Sequence, residues 1–313
     1  MTFKGEKIGV LLGGVSKERD VSLRSGAAVA KALRSVGYDV VEIDVSVGAE
    51  GVQKILDAKM DVAFIALHGR LGEDGAIQGL LETLRIPYTG SGVLASSLAM
   101  DKDFTKKLLQ TEGVQTPFWF VATPANQELI VSEVKKFPVI VKPAQEGSTI
   151  GMSIVKEKSE LSAALKKAFE YDEKVLVEQY IQGIEVTVSV LAGQVLPIIQ
   201  VVPKSGFYDF TSKYTKGMTE YIVPAPLKVS LKEKLNQISA KVFQKLSLSG
   251  CARMDFMIED ADSDKAQEYF LEVNTLPGMT ETSLVPKAAA ATGISFESLC
   301  EKILETAALK EKI

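Results

Sequence analysis

The residues best suited to chemistry lie on two short segments in the C-terminal part of the sequence. Arg253 and Asp255 alternate with apolar neighbours in the first segment, and Glu272 and Asn274 flank Val273 in the second. Alternate residues of a strand share one face, so pairing of the two segments would bring three oxygen-bearing side chains together beside an arginine. Such oxygens suit Mg²⁺ that completes its shell with water and phosphate. The alternative is a surface hairpin held by salt bridges.

The opposite faces of the same two segments are apolar. They carry Met254, Phe256, Leu271 and Val273. An apolar face packs on a core, so the polar face is expected to line a cleft.

A second candidate is the segment 145–151, which is rich in small residues. Small residues let backbone N–H groups approach a phosphate, and the hydroxyls of Ser148 and Thr149 add donors. Lys142, on the apolar run just before it, offers a point charge for phosphate oxygens. The segment lacks the Gly-Lys-Ser/Thr ending of a Walker A loop. Without a ligand it would be an ordinary glycine-rich hairpin.

Three other features have both a structural and a functional interpretation. Residues 90–95 match G-x-G-x-x-A, but they do not follow the first strand and no acidic residue follows at about 20 positions, which favours a turn that caps the next helix over a dinucleotide site. His68 begins a turn-rich loop after an apolar run, and Glu18 begins a helix after Gly13-Gly14. Each is either a structural residue or a ligand contact.

The elements that must position these residues alternate in type. Apolar runs at 7–12, 40–45 and 62–67 alternate with helical patterns at 21–36 and 52–58, which predicts an open, mostly parallel sheet that binds ligands beyond the carboxyl ends of its strands. Further helices are predicted at 95–110, 161–169 and 231–246, and further strands at 139–141, 153–155, 175–178, 185–190, 195–201, 251–258 and 268–274. The pattern of predicted strands and helices changes near residues 95 and 182, where we expect domain boundaries.

Composition narrows the class of protein. The 313 residues have a net charge of −4, so no basic excess favours nucleic acid. Two cysteines make no disulfide framework, and a single histidine excludes a His-rich zinc site. The first residues show no signal-peptide pattern and no run of 18 consecutive apolar residues occurs in the sequence, so we expect a cytoplasmic protein without a membrane partner.

In this order, the segments resemble the D-alanine–D-alanine ligases of the ATP-grasp superfamily. The resemblance rests on HGRLGEDGAIQGLLE at 68–82, YTGSGVLASSLAMDK at 88–102, VIVKPAQEGSTIGMS at 139–153, RMDFM at 253–257 and LEVNTLPGMTETSLVP at 271–286. It implies an α/β fold with a three-domain ATP-grasp architecture and an N-terminal Rossmann-like parallel sheet. The implied domains are a substrate-side domain at 1–95, a central ATP-grasp subdomain at 96–181, and a C-terminal subdomain at 182–313 with the metal site and a lid loop.

The resemblance also implies roles for individual residues. ATP would be bound by Lys102, Lys142, Ser148, Thr149, Glu178, Gln179, Tyr180, Ile181 and Glu185, with 178–181 on a strand that lines the adenine. Asp255, Glu272 and Asn274 would bind two Mg²⁺ ions, with Mn²⁺ as an alternative. Catalytic roles would fall to Glu18, Ser148, Tyr214, Arg253, Gly278 and Ser283. Substrate contacts would fall to His68, Lys213 and the amide of Leu284.

The implied function is ATP-dependent ligation of two D-alanines through a D-alanyl phosphate, for peptidoglycan precursor synthesis, by a cytoplasmic homodimer. The partners would be D-alanine and ATP, with no nucleic acid or membrane. The nearest alternative is a D-alanine–D-lactate ligase, against which Tyr214 favours the dipeptide, since the ester-forming ligases tend to have Phe there. A dehydrogenase would need a working dinucleotide motif. A non-catalytic nucleotide-binding regulator would lack the Asp255, Glu272 and Asn274 set.

Overall fold

The N-terminal region is a parallel sheet covered by helices. A computed structural model describes residues 3–204, 217–280 and 282–311. Its first elements are β1 Lys7–Gly13, α1 Arg19–Ser35, β2 Asp39–Val45, α2 Gly48–Asp57, β3 Val62–Ile65 and α3 Ala76–Thr83. The strands pair in parallel in the order β2-β1-β3, which confirms the predicted β-α-β-α-β pattern. Gly13 and Gly14 have φ of +80° and +74°, a conformation that ends β1 and turns the chain toward α1.

The middle of the chain forms an antiparallel sheet. Its elements are α4 Val93–Met100, α5 Lys102–Thr111, β4 Trp119–Ala122, α6 Gln127–Glu133, β5 Val139–Pro143, β6 Ser153–Val155, α7 Lys158–Phe169 and β7 Val175–Gln179. The strand order is β4-β7-β5-β6. The segment 145–151 therefore connects β5 to β6 at one edge of this sheet, as predicted.

The single helix expected at 95–110 is wrong, because the chain breaks between α4 and α5. Asp101 has an extended backbone, with φ of −90° and ψ of 101°. Its carboxylate accepts the backbone N–H groups of Asp103 and Phe104, each at 3.1 Å. Asp101 thereby caps α5 and starts a new helix direction, which points Lys102 toward the site.

The C-terminal part builds a larger antiparallel sheet. Its elements are β8 Ile184–Leu191, β9 Gln194–Val195, β10 Ile199–Pro203, β11 Thr219–Ile222, α8 Val229–Lys245, β12 Cys251–Glu259, β13 Gln267–Asn274, α9 Leu284–Ala290 and α10 Phe296–Leu304. The strand order is β11-β10-β8-β12-β13, with β9 paired to β8. The continuous strand expected at 195–201 is wrong: Pro197, which has no N–H for the ladder, lies in the gap between β9 and β10.

The predicted pairing of the two polar segments is confirmed, with a shift that sequence alternation did not foresee. Asp255 lies opposite Glu272 on the neighbouring strand, but beyond them Phe256 lies opposite Phe270. Leu271 is therefore the extra residue of a β-bulge. The expectation that Leu271 belongs to the apolar face is wrong, because fully buried Phe270 takes that place and packs edge-on against Phe256.

The cores join elements that are far apart in sequence. One buried cluster combines Val10 and Leu33 of the N-terminal region with Val285 and Leu299 of the C-terminal helices. A second packs α4 and α5 on the six-stranded sheet, and a third fills the four-stranded sheet. The domain boundaries near 95 and 181 stay a prediction.

Both cysteines are free and lie inside these cores. Burial raises the pKa of Cys251 and of Cys300 to about 12, so both remain thiols at neutral pH. Within the described ranges, no helix combines the length and apolar character needed to cross a membrane.

We predict that Asp101→Ala lowers the free energy of unfolding by about 1–2 kcal/mol, because α5 loses its cap. Burial alone would raise the pKa of Asp101, but Lys174, Gln145 and the Phe104 N–H outweigh it and lower this pKa. The stabilisation from its charge is thus present above the unfolded-state pKa and is lost as the pH falls through the folded-state value.

Urea unfolding at pH 7 and at stepwise lower pH measures both effects. Asp101→Asn is the matched control, since its side-chain oxygen can still cap α5 without the charge. An alanine variant as stable as the asparagine variant would contradict the capping role.

Candidate active site

A cavity of about 260 Å³ lies between the four-stranded and six-stranded sheets. Nine of the predicted site residues line it: Lys142, Thr149, Glu178, Gln179, Tyr180, Ile181, Glu185, Asp255 and Glu272. Apolar side chains line the same space, among them Ile140, Met257 and the bulged Leu271. Apolar side chains together with charged groups suit a ligand that has a ring system and an anionic tail.

The prediction of a strand at 178–181 is correct for residues 178 and 179 and wrong for residues 180 and 181. β7 ends at Gln179, and Tyr180 and Ile181 lie just beyond it as the chain passes toward the six-stranded sheet. The Tyr180 N–H points to the Pro138 carbonyl oxygen at 3.4 Å. Both residues still line the cavity, so the wrong boundary leaves their predicted place intact.

Glu178 concentrates charge on one wall of this cavity. Its carboxylate accepts hydrogen bonds from Lys142 at 2.9 Å and from Lys106. Burial alone would raise the pKa of Glu178, but the two ammonium groups outweigh it and lower this pKa. Lys106 was not among the predicted site residues. Its one sequence signal is the four-residue spacing from Lys102, which places both lysines on one face of α5.

A smaller cavity of about 90 Å³ adjoins the first. Its lining includes Glu18, His68, Ser148, Arg253, Glu272, Asn274, Gly278, Ser283 and Leu284. Glu272 lines both cavities. Lys102 lies at the same junction, with its ammonium 3.4 Å from the Glu272 carboxylate. The predicted contacts Lys213 and Tyr214 fall outside the described residues.

The segment 145–151 contributes lining residues to both cavities. Ser148 and Thr149 have φ of 51° and 65°, a left-handed conformation that is strained for a β-branched residue. In this conformation Ser148 lines the small cavity and donates to the Glu18 carboxylate, whereas Thr149 lines the large one. A Cβ at Gly147 would come within 2.8 Å of that carboxylate, so a side chain there would displace the carboxylate of Glu18.

Contacts from other parts of the chain hold this segment in place. Lys102 donates to the Glu146 carbonyl oxygen at 2.7 Å. Arg70 donates to the Glu146 carboxylate at 2.9 Å and lies 3.7 Å from Asp172. Sequence reasoning missed Arg70 and Glu146 as partners, because 76 residues separate them.

The strand pair organises the acidic groups. Arg253 donates to both carboxylate oxygens of Asp255 at 2.9 Å, and Thr187 donates to one of them at 2.6 Å. Within the described residues, no three His, Cys, Asp or Glu side chains form a self-contained metal site. Asp255, Glu272 and Asn274 instead offer two carboxylates and an amide on one face. This donor set fits Mg²⁺ ions whose remaining ligands are phosphate oxygens and water.

His68 links the N-terminal region to the C-terminal wall of the small cavity. Its Nδ1 lies 4.0 Å from the Glu73 carboxylate, and its Nε2 lies 3.3 Å from the Ser25 hydroxyl. Ser25 in turn accepts the Met279 N–H at 3.2 Å. Burial alone would lower the pKa of His68, but Glu73 and Glu18 outweigh it and raise this pKa.

The C-terminal wall is a turn that leads into a helix. Ser283 precedes α9 in an extended conformation, and its hydroxyl accepts the Thr280 N–H at 3.0 Å. A side chain on Gly278 would come within 3.0 Å of that hydroxyl. The backbone N–H of Leu284 thus opens a helix beside the small cavity, as predicted.

Comparison with known proteins agrees with this geometry. The family model described as "D-ala D-ala ligase C-terminus" matches residues 108–305, and "D-ala D-ala ligase N-terminus" matches residues 46–91. A D-alanine–D-alanine ligase from Syntrophotalea carbinolica is 55% identical over 98% of this chain and 97% of its own length.

Solved structures agree as well. The D-alanine–D-alanine ligase from Bacillus anthracis is 40% identical, with a TM-score of 0.83 over 96% of this chain and 97% of that one. Its complex with ATP has a TM-score of 0.81 at 38% identity and the same coverage. The chain belongs to the D-alanine–D-alanine ligase family. The α/β ATP-grasp architecture with an N-terminal parallel sheet is thereby confirmed.

Four residues that were not among the predicted site residues support the site. Ser25, Arg70, Glu73 and Lys106 each contact a predicted site residue or the segment 145–151. Arg70 and Glu73 lie in the quoted segment 68–82, and Glu73 approaches His68 within the same loop. The partners of Ser25, Arg70 and Lys106 are distant in sequence and meet them only in the folded chain.

We predict that His68 titrates above the ordinary histidine value of about 6.5. It is the single histidine of the chain, so one imidazole C–H resonance in a proton NMR titration reports it. Glu73→Gln removes a neighbouring negative charge and should lower the midpoint. Glu50→Gln, which changes an exposed carboxylate of α2, is the control.

The raised pKa of His68 also makes the stability of the fold depend on pH. A raised folded-state pKa stabilises the fold below the unfolded-state pKa, and this stabilisation is lost as the pH rises through the folded-state value. A midpoint at or below the ordinary value in the unsubstituted protein would contradict this account of the cluster.

Proposed function

We propose that this protein joins two D-alanines to D-alanyl-D-alanine at the expense of ATP, through a D-alanyl phosphate. The observation that carries the proposal is the position of Glu272, which lines both the large cavity and the small polar one. A phosphoryl group transferred from one ligand to another must pass such a junction. The family to which the chain belongs consists of ligases that bear this activity in their name.

The large cavity would hold ATP. The segment from Glu178 to Ile181 would line the adenine, and Glu185 would bind the ribose hydroxyls. Lys102 and Lys142 would contact the phosphates, with the backbone around Ser148 and Thr149 as a cover. Left-handed backbone at Ser148 and Thr149 supports this role, because strain of this kind is retained where it serves a site.

The small cavity would hold the two amino acids. Buried Glu18 would bind the ammonium group of the first D-alanine, with Ser148 and His68 beside it. Ser283 and the Leu284 amide would bind the carboxylate of the second, since a helix N-terminus favours an anion. Lys213 and Tyr214 remain predicted contacts.

The reaction has two displacements. A carboxylate is a poor electrophile, so the carboxylate oxygen of the first D-alanine attacks the γ-phosphorus, and ADP leaves. The amine of the second D-alanine then attacks the acyl carbon, and phosphate leaves with the bridging oxygen. Arg253 and the Gly278 amide would stabilise the tetrahedral oxyanion that exists after the amine attacks and before phosphate leaves. Loss of one such donor costs roughly 3–4 kcal/mol.

We further propose two Mg²⁺ ions, or Mn²⁺, on Asp255, Glu272 and Asn274. A bound divalent ion offsets the charge of the phosphates during transfer. Arg253 holds Asp255 by two hydrogen bonds and so fixes the carboxylate of a residue that lies opposite Glu272 in the strand pair.

The product would serve peptidoglycan precursor synthesis, the role of this family. We propose a cytoplasmic homodimer whose partners are small molecules. A D-alanine–D-lactate ligase would use the same machinery with an oxygen nucleophile, and Tyr214 favours the dipeptide.

Phosphate release from ATP and Mg²⁺ tests the function. We expect release with D-alanine, D-alanyl-D-alanine as the product in mass spectrometry, and no release above background with L-alanine. Equal release with both enantiomers, or none with either, would contradict the proposal. More ester than dipeptide with a mixture of D-lactate and D-alanine at neutral pH would favour the alternative ligase.

We predict that Glu272→Gln lowers kcat for ligation by roughly a hundredfold or more, since even groups behind a metal ligand are worth 10- to 100-fold. Glu112→Gln is the matched control. Glu112 is also a partly exposed carboxylate paired with a lysine, Lys245 at 2.9 Å, but it lies on neither cavity. Circular dichroism checks the fold. Full activity of Glu272→Gln at ordinary Mg²⁺ concentrations would refute the metal assignment.

A further inference from the structure

Lys106 is a buried cation that the proposed mechanism does not use. Its side chain is 0% exposed in α5. The ammonium donates to the Glu178 carboxylate and lies 4.4 Å from the centre of the Trp119 ring. A buried charge is costly unless its surroundings compensate it. The chain therefore maintains this ion against a desolvation cost.

Glu178 is shared between two ammonium groups. One carboxylate oxygen faces Lys106, and the other accepts from Lys142 at 2.9 Å. Lys142 lines the large cavity, so it can reach a ligand there. Lys142 and Glu178 alone sum to zero charge. With Lys106 the three groups sum to a single positive charge.

The other acidic neighbour of Lys106, Asp103, does not neutralise its charge. Asp103 is close enough to influence Lys106. Its carboxylate, however, pairs with Lys107 at 2.9 Å and with Lys174 at 3.6 Å, and also accepts the Trp119 indole N–H at 3.0 Å. Burial lowers the pKa of Lys106 to about 8, so the group is mostly protonated at pH 7.

We propose that Lys106 is a positioning residue that neutralises Glu178 and thereby leaves the charge of Lys142 available to the phosphates of a bound nucleotide. This inference rests on the proposed nucleotide site. Without Lys106, the buried carboxylate would hold Lys142 as its counter-ion. The nucleotide would then meet a neutral pair instead of a net positive charge, although Lys142 itself is unchanged.

The test separates charge from structure by comparing ATP with adenosine, which has no phosphates. Calorimetry with Lys106→Met should show ATP binding weakened about tenfold or more, the scale of one lost charge-assisted contact. Adenosine binding should stay within about twofold of the unsubstituted protein. Lys106→Arg should recover most of the ATP affinity. Lys166→Met, at an exposed lysine of α7 that does not line the large cavity, is the control and should change the affinity for neither ligand.

A double variant tests the coupling through Glu178. In a Glu178→Gln background there is no charge to neutralise, so Lys106→Met should no longer weaken ATP more than adenosine. This pair also removes the buried carboxylate and its counter-ion together, which keeps the test usable if Lys106→Met alone does not fold.

The outcomes distinguish this inference from the function on which it rests. Equal weakening of ATP and adenosine would mean that Lys106 only supports the structure and would overturn the inference. Unchanged ATP affinity in Lys106→Met, or the same selective loss in the Glu178→Gln background, would overturn it as well. Failure of the unsubstituted protein to bind ATP would instead refute the nucleotide site.

Discussion

The register between β12 and β13 sets the positions of Arg253, Asp255 and Asn274 relative to Glu272. It places Asp255 opposite Glu272, and Arg253 opposite Asn274, on one face of the six-stranded sheet. The bulge at Leu271 keeps this register compatible with a core in which Phe256 packs on Phe270. A shift by one residue would move the carboxylates into that core. The cost of burying unpaired charge therefore protects the arrangement of the site.

The segment 145–151 divides the space above this strand pair. Its left-handed residues send neighbouring side chains to different cavities, Ser148 toward Glu18 and Thr149 toward the nucleotide side. Lys102 and Arg70 hold Glu146 from two directions. Strain in the segment is thus balanced by contacts from α5 and from the loop after β3. The two proposed ligand sites can adjoin without merging, because one short segment is a wall of both.

Local patterns predicted much of this protein, and contacts distant in sequence account for the rest. Strand alternation placed Asp255 and Glu272 on one face correctly, since side-chain direction depends only on neighbours. The bulge at Leu271 was missed because it depends on the neighbouring strand. The break at Asp101 was missed because the helical pattern continues across it, although Asp101 caps α5 through the nearby N–H groups of Asp103 and Phe104. β4 and α6 were not predicted, because their four and seven residues are too few to show a clear hydrophobic periodicity. The spacing of Lys106 from Lys102 does not indicate its role, because that role depends on Glu178 at a separation of 72 residues.

An acyl phosphate route would transfer one carboxylate oxygen of D-alanine to the released phosphate during ligation. D-alanine labelled with ¹⁸O in its carboxylate tests it directly, with the released phosphate analysed by mass spectrometry. The acyl phosphate route predicts one ¹⁸O atom in each phosphate, because the bridging oxygen leaves with phosphorus when the amine attacks. The peptide carbonyl keeps the other. Unlabelled phosphate released together with D-alanyl-D-alanine would rule out a D-alanyl phosphate intermediate.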